Sequence, residues 1–209
     1  MQFIMPYPSL KLTYFPIAGR AEVTRLTLHV GDVLFEDERI PREEFAKRKA
    51  TLPFKQLPVL TVNGEVMAQS EAMARYAGKL CGLYPVNDPL SAFRVDEILG
   101  ALEDIRNKIF AVHGEQDQEK KLALEKDLAD NILPGLFATL EARLATKSNG
   151  PFLLETISIA DIAIFSFVRK LLKNDHIGGI PSIDGYATIN AIYNAVGENP
   201  KVKEWYEKN

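Results

Sequence analysis

Apolar and polar residues alternate in the first third of this chain and recur at helical spacing through the rest. Leu10, Leu12 and Tyr14 alternate with Lys11 and Thr13, the period-two signature of a strand. Pro16 and Gly19 break that rhythm, and residues 21–30 read as a helix closed by Gly31. Residues 34–40 alternate again, and residues 42–49 read as a short polar helix. Val59–Val62 and Glu65–Ala68 flank Asn63-Gly64, a strong hairpin signal. Ser70 then opens a helix through Ala72, Ala74, Tyr76 and Leu80. The order βαβ, short helix, ββα predicts an α/β unit with a small mixed sheet, its first pair parallel and its hairpin antiparallel.

Residues 81–89 carry Gly82, Pro85 and Pro89 and read as a linker. They divide the chain into a first domain at residues 1–83, a linker at 84–91 and an all-helical domain at 92–209. In the second domain Val95, Ile98, Leu99, Leu102, Ile105, Ile109 and Val112 recur every three or four residues, the pattern of an amphipathic helix. Leu124, Leu128, Ile132, Leu136, Leu140 and Leu144 mark another, bent near Pro134. Ser158 and Asp161 have capping-box spacing, with Ile157 and Ile162 as the hydrophobic staple. The helix that follows, residues 159–172, is apolar nearly all round and is expected to be buried. Helical stretches at 189–196 and 200–207 finish the pattern.

Composition changes this picture mainly by exclusion. The 209 residues are 46% hydrophobic and 25% charged, ordinary for a globular protein. A formal net charge of -3 offers no basic field to nucleic acid and no polybasic patch to a membrane. Cys81 is the one cysteine, so neither an internal disulfide nor a Cys-x-x-Cys redox or zinc pattern exists. Met1–Ser9 lacks the apolar core of a signal peptide, and no apolar run reaches membrane-spanning length, so the cytoplasm is the expected location. His29, His113 and His176 show no metal-ligand spacing, and no metal is expected. No Gly-x-Ser-x-Gly elbow, P-loop or Gly-x-Gly-x-x-Gly turn is present.

Three features converge instead. Tyr14 ends the first strand beside the start of the first helix, where unpaired N–H groups and the helix dipole favour negative charge. Leu57-Pro58 precedes the third strand, where proline fits a tight turn in either isomer. Gln69-Ser70 opens the third helix, where side-chain and backbone donors suit a carboxylate. Strand ends in a βαβ–ββα sheet face one another, so the three can share a site. Singly, each reads better as a packing tyrosine, a loop proline and a plain cap; only together do they point to a site.

With an all-helical second half, these features resemble the cytosolic glutathione transferases over nearly the whole chain. The likeness is carried by Tyr14-Phe15, Gly19-Arg20-Ala21-Glu22, Thr51-Leu52-Pro53-Phe54, Leu57-Pro58-Val59-Leu60, the run from Gln69 to Tyr76, and the Ser158–Asp161 box. It is nearest to the sigma class, which includes glutathione-dependent prostaglandin D synthases and many invertebrate detoxification enzymes. The resemblance implies a thioredoxin-like domain that binds glutathione and a helical domain that supplies the pocket for a small apolar electrophile. It implies that Tyr14 is the catalytic group that hydrogen-bonds the glutathione sulfur, with Arg20 beside it. Leu57, ahead of cis-Pro58, would pair with the cysteinyl unit, and Gln69 and Ser70 would hold the γ-glutamyl end. Lys49 would meet the glycine carboxylate. Asp104 would reach the γ-glutamyl ammonium of a neighbouring subunit, which implies a homodimer.

Some positions depart from the family pattern. Phe45 stands where a tryptophan N–H commonly meets the glycine carboxylate, and Gln56 where lysine is frequent. Pro16 and Ala18 replace the commoner Asn and Arg, so weaker glutathione binding is expected. Phe15, Arg106, Ile109 and Phe110 are the candidates for the electrophile pocket, all equally suited to inter-domain core, and for Ile109 the core is the favoured place. A free thiol, with a pKa of about 8.5, is only a few per cent thiolate at pH 7. Shifting that balance to thiolate needs about 2.7 kcal/mol, and one charge-assisted hydrogen bond provides roughly 1.5–3 kcal/mol. A binding or crystallin-like structural protein is the competing expectation, because fold alone does not fix function. A narrowly specific isomerase is another. A thioredoxin-type oxidoreductase is excluded by the lack of a cysteine at the first strand–helix turn.

Overall fold

The computed structural model describes residues 7–147, 150–173 and 182–209. His176 and the start of the Met1–Ser9 segment lie outside them. The chain forms two compact units, Met1–Asn87 with Pro200–Asn209, and Asp88–Asn199.

In the first unit β1 (Leu10–Tyr14), α1 (Glu22–Val30), β2 (Glu36–Arg39), α2 (Arg42–Arg48), β3 (Val59–Val62), β4 (Glu65–Ala68) and α3 (Ser70–Cys81) follow the expected order. The sheet order is β2-β1-β3-β4, with β1 and β2 parallel and the other neighbours antiparallel. Tyr14 therefore ends an inner strand. Asn63 and Gly64 take φ values of 49° and 90°, as a tight hairpin turn between β3 and β4 requires. β2 is shorter than the 34–40 alternation implies. It pairs with β1 only from Lys11↔Glu36 to Tyr14↔Arg39, and Leu34 is left 75% exposed. Leu10, Leu12, Tyr14, Leu28, Leu60, Met73 and Ala77 form the core on which α1 and α3 pack. The helix α9 (Pro200–Lys208) also packs on α1, so the last helix of the chain belongs to the unit that contains the first strand.

The second unit holds α4 (Pro89–His113), α5 (Gln118–Asp127), α6 (Leu133–Ala145), α7 (Ile159–Lys173) and α8 (Ala187–Gly197). Pro89, a linker signal by residue type, is instead the first residue of α4. Asp88 caps that helix by accepting from the Leu90 and Ser91 N–H groups at 3.0 and 3.1 Å. The bend expected near Pro134 is a π-turn at Leu128–Ile132. Its extra residue rotates the buried face of α6 to Leu133, Phe137, Leu140 and Leu144, so that Ile132 and Leu136 are only half-buried. α7 is buried along Ile159, Ala160, Asp161, Ile162, Ala163, Ile164 and Phe165, as its composition implies. The Asp161 carboxylate accepts from the Ser158 N–H and hydroxyl at 2.8 and 2.7 Å and from the Leu153 N–H at 2.8 Å. Burial pushes the Asp161 carboxyl up from the usual range, against the pull of these hydrogen bonds.

Candidate functional site

Tyr14 is 7% exposed, its ring packed in the core and its hydroxyl at the turn that leads into α1. The Arg20 backbone N–H donates to the Tyr14 oxygen at 3.3 Å. Gly19 makes this approach possible. A Cβ there would stand 2.7 Å from the Tyr14 oxygen, and its φ of +48° is strained for any side chain. The phenol oxygen thus accepts one hydrogen bond, and its proton meets no acceptor among the described residues.

Arg20 also lines an open cleft together with Gln56, Leu57, Pro58, Ala68, Gln69 and Ser70. The Leu57-Pro58 bond is cis. Gln69 precedes α3 with φ 79° and ψ 103°, a conformation strained for a residue with a side chain. Such strain is commonest where binding geometry demands it. Six residues singled out in the sequence (Arg20, Gln56, Leu57, Pro58, Gln69 and Ser70) are therefore brought together, with Tyr14 joined to them through Arg20.

Phe45 and Lys49 lie on the side of Tyr14 that leads to α2. The rings of Tyr14 and Phe15 are 5.3 Å apart, those of Phe15 and Phe45 meet edge-on at 5.4 Å, and the Lys49 ammonium lies 5.8 Å above Phe45. Asp104, Arg106, Ile109 and Phe110 belong to α4 in the second unit. Asp104 is exposed. Ile109 is 5% exposed and sits in the buried stripe with Ile105 and Val112, whereas Phe110 is 46% exposed. The Arg106 guanidinium lies 5.6 Å above the ring of Phe167 on α7.

The remaining titratable groups singled out in the sequence are accounted for by packing. Burial pushes the half-buried Cys81 thiol up to about 11, which disfavours the nucleophilic thiolate near neutral pH. The His29 ring lies 5.3 Å from that of Trp205, tilted by 52°, and faces Glu204 at 3.5 Å. Burial, followed by Lys170 and Lys121, lowers the His113 pKa from its usual value.

Two family models match this sequence: "Glutathione S-transferase, N-terminal domain" over residues 10–79 and "Glutathione S-transferase, C-terminal domain" over residues 103–209. The chain belongs to the glutathione S-transferase family. Glutathione S-transferase 1 of Ascaris suum is 33% identical over 205 residues, 95% of each chain. S-crystallin SL11 of Nototodarus sloanii is 30% identical over 96% of this chain and 97% of its own. The solved structure of prostaglandin synthase D of Nilaparvata lugens superposes with a TM-score of 0.86 at 35% identity, over 97% of this chain and 98% of that one. The mixed four-stranded unit and the helical unit are thus the thioredoxin-like and all-helical parts of a glutathione transferase enzyme.

One residue beside this candidate site is not singled out by the sequence pattern. Arg25 on α1 is fully buried. Its guanidinium donates to the carbonyls of Phe15, Ile17 and Ala18 at 3.3, 2.7 and 3.4 Å and to Asp37 at 2.9 Å, with Glu22 at 3.5 Å. It also lies 5.8 Å above the Tyr14 ring. Arg25 therefore ties down the loop between Tyr14 and Gly19 without reaching the cleft lining. Its sequence signal was an arginine on a helix otherwise able to bury every side, three residues after Glu22.

Proposed function

We propose that this protein binds glutathione in the Arg20–Ser70 cleft, holds its sulfur as thiolate with the Tyr14 hydroxyl, and conjugates it to small apolar electrophiles. The carrying observation is the Tyr14 hydroxyl itself, oriented by the Arg20 N–H and left with a proton to donate. A thiol transfers its proton to solvent, and the resulting thiolate accepts the phenolic hydrogen bond. The thiolate then attacks the electrophilic carbon and the leaving group departs with its electron pair. Gln69 and Ser70 take the γ-glutamyl end, Leu57 pairs with the cysteinyl unit, Gln56 lines the wall between them, and Lys49 faces the glycyl end beside Phe45. Phe15, Arg106 and Phe110 are assigned to the electrophile, and Ile109 belongs to the core stripe of α4.

Asp104, exposed on α4, is assigned to the γ-glutamyl ammonium of a neighbouring subunit, so the working unit is a symmetric homodimer. Sedimentation as a monomer at micromolar protein would overturn that assignment. Sigma-class character, a detoxification role and a cytoplasmic location complete the reading. Among the described residues no helix is long and apolar enough to cross a membrane.

The S-crystallin relative favours a second reading, a non-catalytic carrier or structural protein. Conjugation of glutathione to a chromogenic aryl halide separates the two. The expected result is activity in the wild type and a loss of about 10- to 1,000-fold in Tyr14→Phe, the scale for removing one oxyanion-type donor. Retention of Tyr14→Phe on immobilised glutathione would locate the loss in turnover. Unchanged turnover in the variant removes Tyr14 from the mechanism. Retention of the wild type without conjugation moves the assignment to a carrier or to a narrowly specific isomerase.

A further inference from the structure

Arg42, Phe45 and Lys49 are spaced i, i+3 and i+7, so they form one stripe along α2 and the 3-10 turn at Lys49–Thr51. The other cations of this segment are neutralised: Lys47 faces Glu44 at 3.5 Å, and Arg48 engages Glu44 and Glu38 at 2.7 and 3.1 Å. Arg42 and Lys49 meet no carboxylate among the described residues. Each lies over an aromatic ring instead, the Arg42 guanidinium 5.8 Å from the centre of Phe15 and the Lys49 ammonium 5.8 Å from that of Phe45. Those rings touch edge-on, and Phe15 in turn packs on Tyr14. Two cations without acids thus stand on a platform continuous with the tyrosine that faces the thiol.

We propose that Arg42 is a specificity-determining residue that recognises the carboxylate at the glycyl end of glutathione. The inference rests on glutathione occupying the cleft as described above. The tripeptide carries a carboxylate at each end and its thiol between them. With the γ-glutamyl end at Gln69 and Ser70 and the sulfur at Tyr14, the second carboxylate extends toward α2. Phe45 contributes a ring face and no donor there. A guanidinium resting on a ring keeps its N–H edges open, and that planar fork matches a carboxylate in two parallel hydrogen bonds. Arg42 therefore provides the directed hydrogen bonds and Lys49 a point charge, with Phe15 and Phe45 as their common floor.

Steady-state kinetics with two thiols test this: glutathione, and its glycyl monoethyl ester, in which that carboxylate carries no charge. Arg42→Ala is expected to raise KM for glutathione by about two- to fivefold, the range for an exposed charge pair, with kcat within about twofold. KM for the ester is expected to stay at the wild-type value, so the preference for acid over ester shrinks. Arg42→Lys keeps part of that preference. An equal rise in KM for both thiols, or no rise for either, overturns the role of Arg42. Wild-type protein that conjugates neither thiol and is not retained on glutathione would instead overturn the underlying functional reading, and this inference with it.

Discussion

Between Tyr14 and Gly19 there is no room for a single methyl group. A Cβ at residue 19 would lie 2.7 Å from the phenol oxygen and 2.8 Å from the ring, and φ is +48°. Gly19→Ala must therefore displace the hydroxyl or the turn that carries the Arg20 N–H. We expect a fall in turnover of about tenfold or more, because the proposed hydrogen bond from Tyr14 to the reacting sulfur depends on its position. The strained backbone should cost about 1 kcal/mol of stability. Parallel kcat and urea-midpoint measurements check this, and wild-type kcat would show that the Gly19 approach has no bearing on chemistry. At this scale the sequence discloses residues whose type is unusual for their place. Tyr14 at a strand end, Pro58 ahead of a strand and Ser70 at a helix start were legible. Arg25 was not, because its role depends on carbonyls that converge only when the loop folds over α1.

Elements were legible where one local rule decides them. Asn63-Gly64 dictates a turn with two positive φ angles, and β3 and β4 begin and end as their alternation implies. Boundaries moved where a partner decides them. β2 begins at Glu36 because its ladder on β1 begins there, whatever the character of Leu34. The π-turn at Leu128–Ile132 is the larger departure. Uniform four-residue spacing through Leu124, Leu128, Ile132 and Leu136 extrapolates a straight helix. Pro134 has no N–H to give, and one additional residue in the preceding turn carries the stripe onto Leu133 and Phe137. Periodicity foresaw a disturbance near Pro134 but not the rotation of the face beyond it. The cleft is assembled from such junctions, with Arg20 before α1, Leu57-Pro58 before β3 and Gln69-Ser70 at α3, so its members were readable as breaks in pattern. Ala68, the remaining lining residue, gave no signal because a strand-end alanine is unremarkable in type.

For the whole molecule, order along the chain and order in space diverge at the last helix. α9 follows the helical segment in sequence yet packs on α1 in the unit of the first strand. Trp205, the one tryptophan of the chain, donates its indole N–H to the buried Glu22 carboxylate at 3.1 Å. Glu22 faces Arg25, and Arg25 holds the carbonyls of the loop that follows Tyr14. A second link runs from Asn209 through Arg39 to Asp37, the other carboxylate on Arg25. The end of the chain is thus tied through charged groups to the loop beside the proposed thiolate. Trp205→Phe keeps a ring in this place but leaves Glu22 one donor short. A buried acceptor left without its donor costs about 1–3 kcal/mol, so the variant should unfold at lower urea when followed by far-UV circular dichroism. Glu22→Met combined with Trp205→Phe should be less destabilising than the sum of the two single changes, since either change alone removes the same hydrogen bond. A wild-type midpoint for Trp205→Phe, or strict additivity in the double variant, would mean that α9 merely covers α1. Coupling would instead make the final helix part of the scaffold that sets the loop after Tyr14.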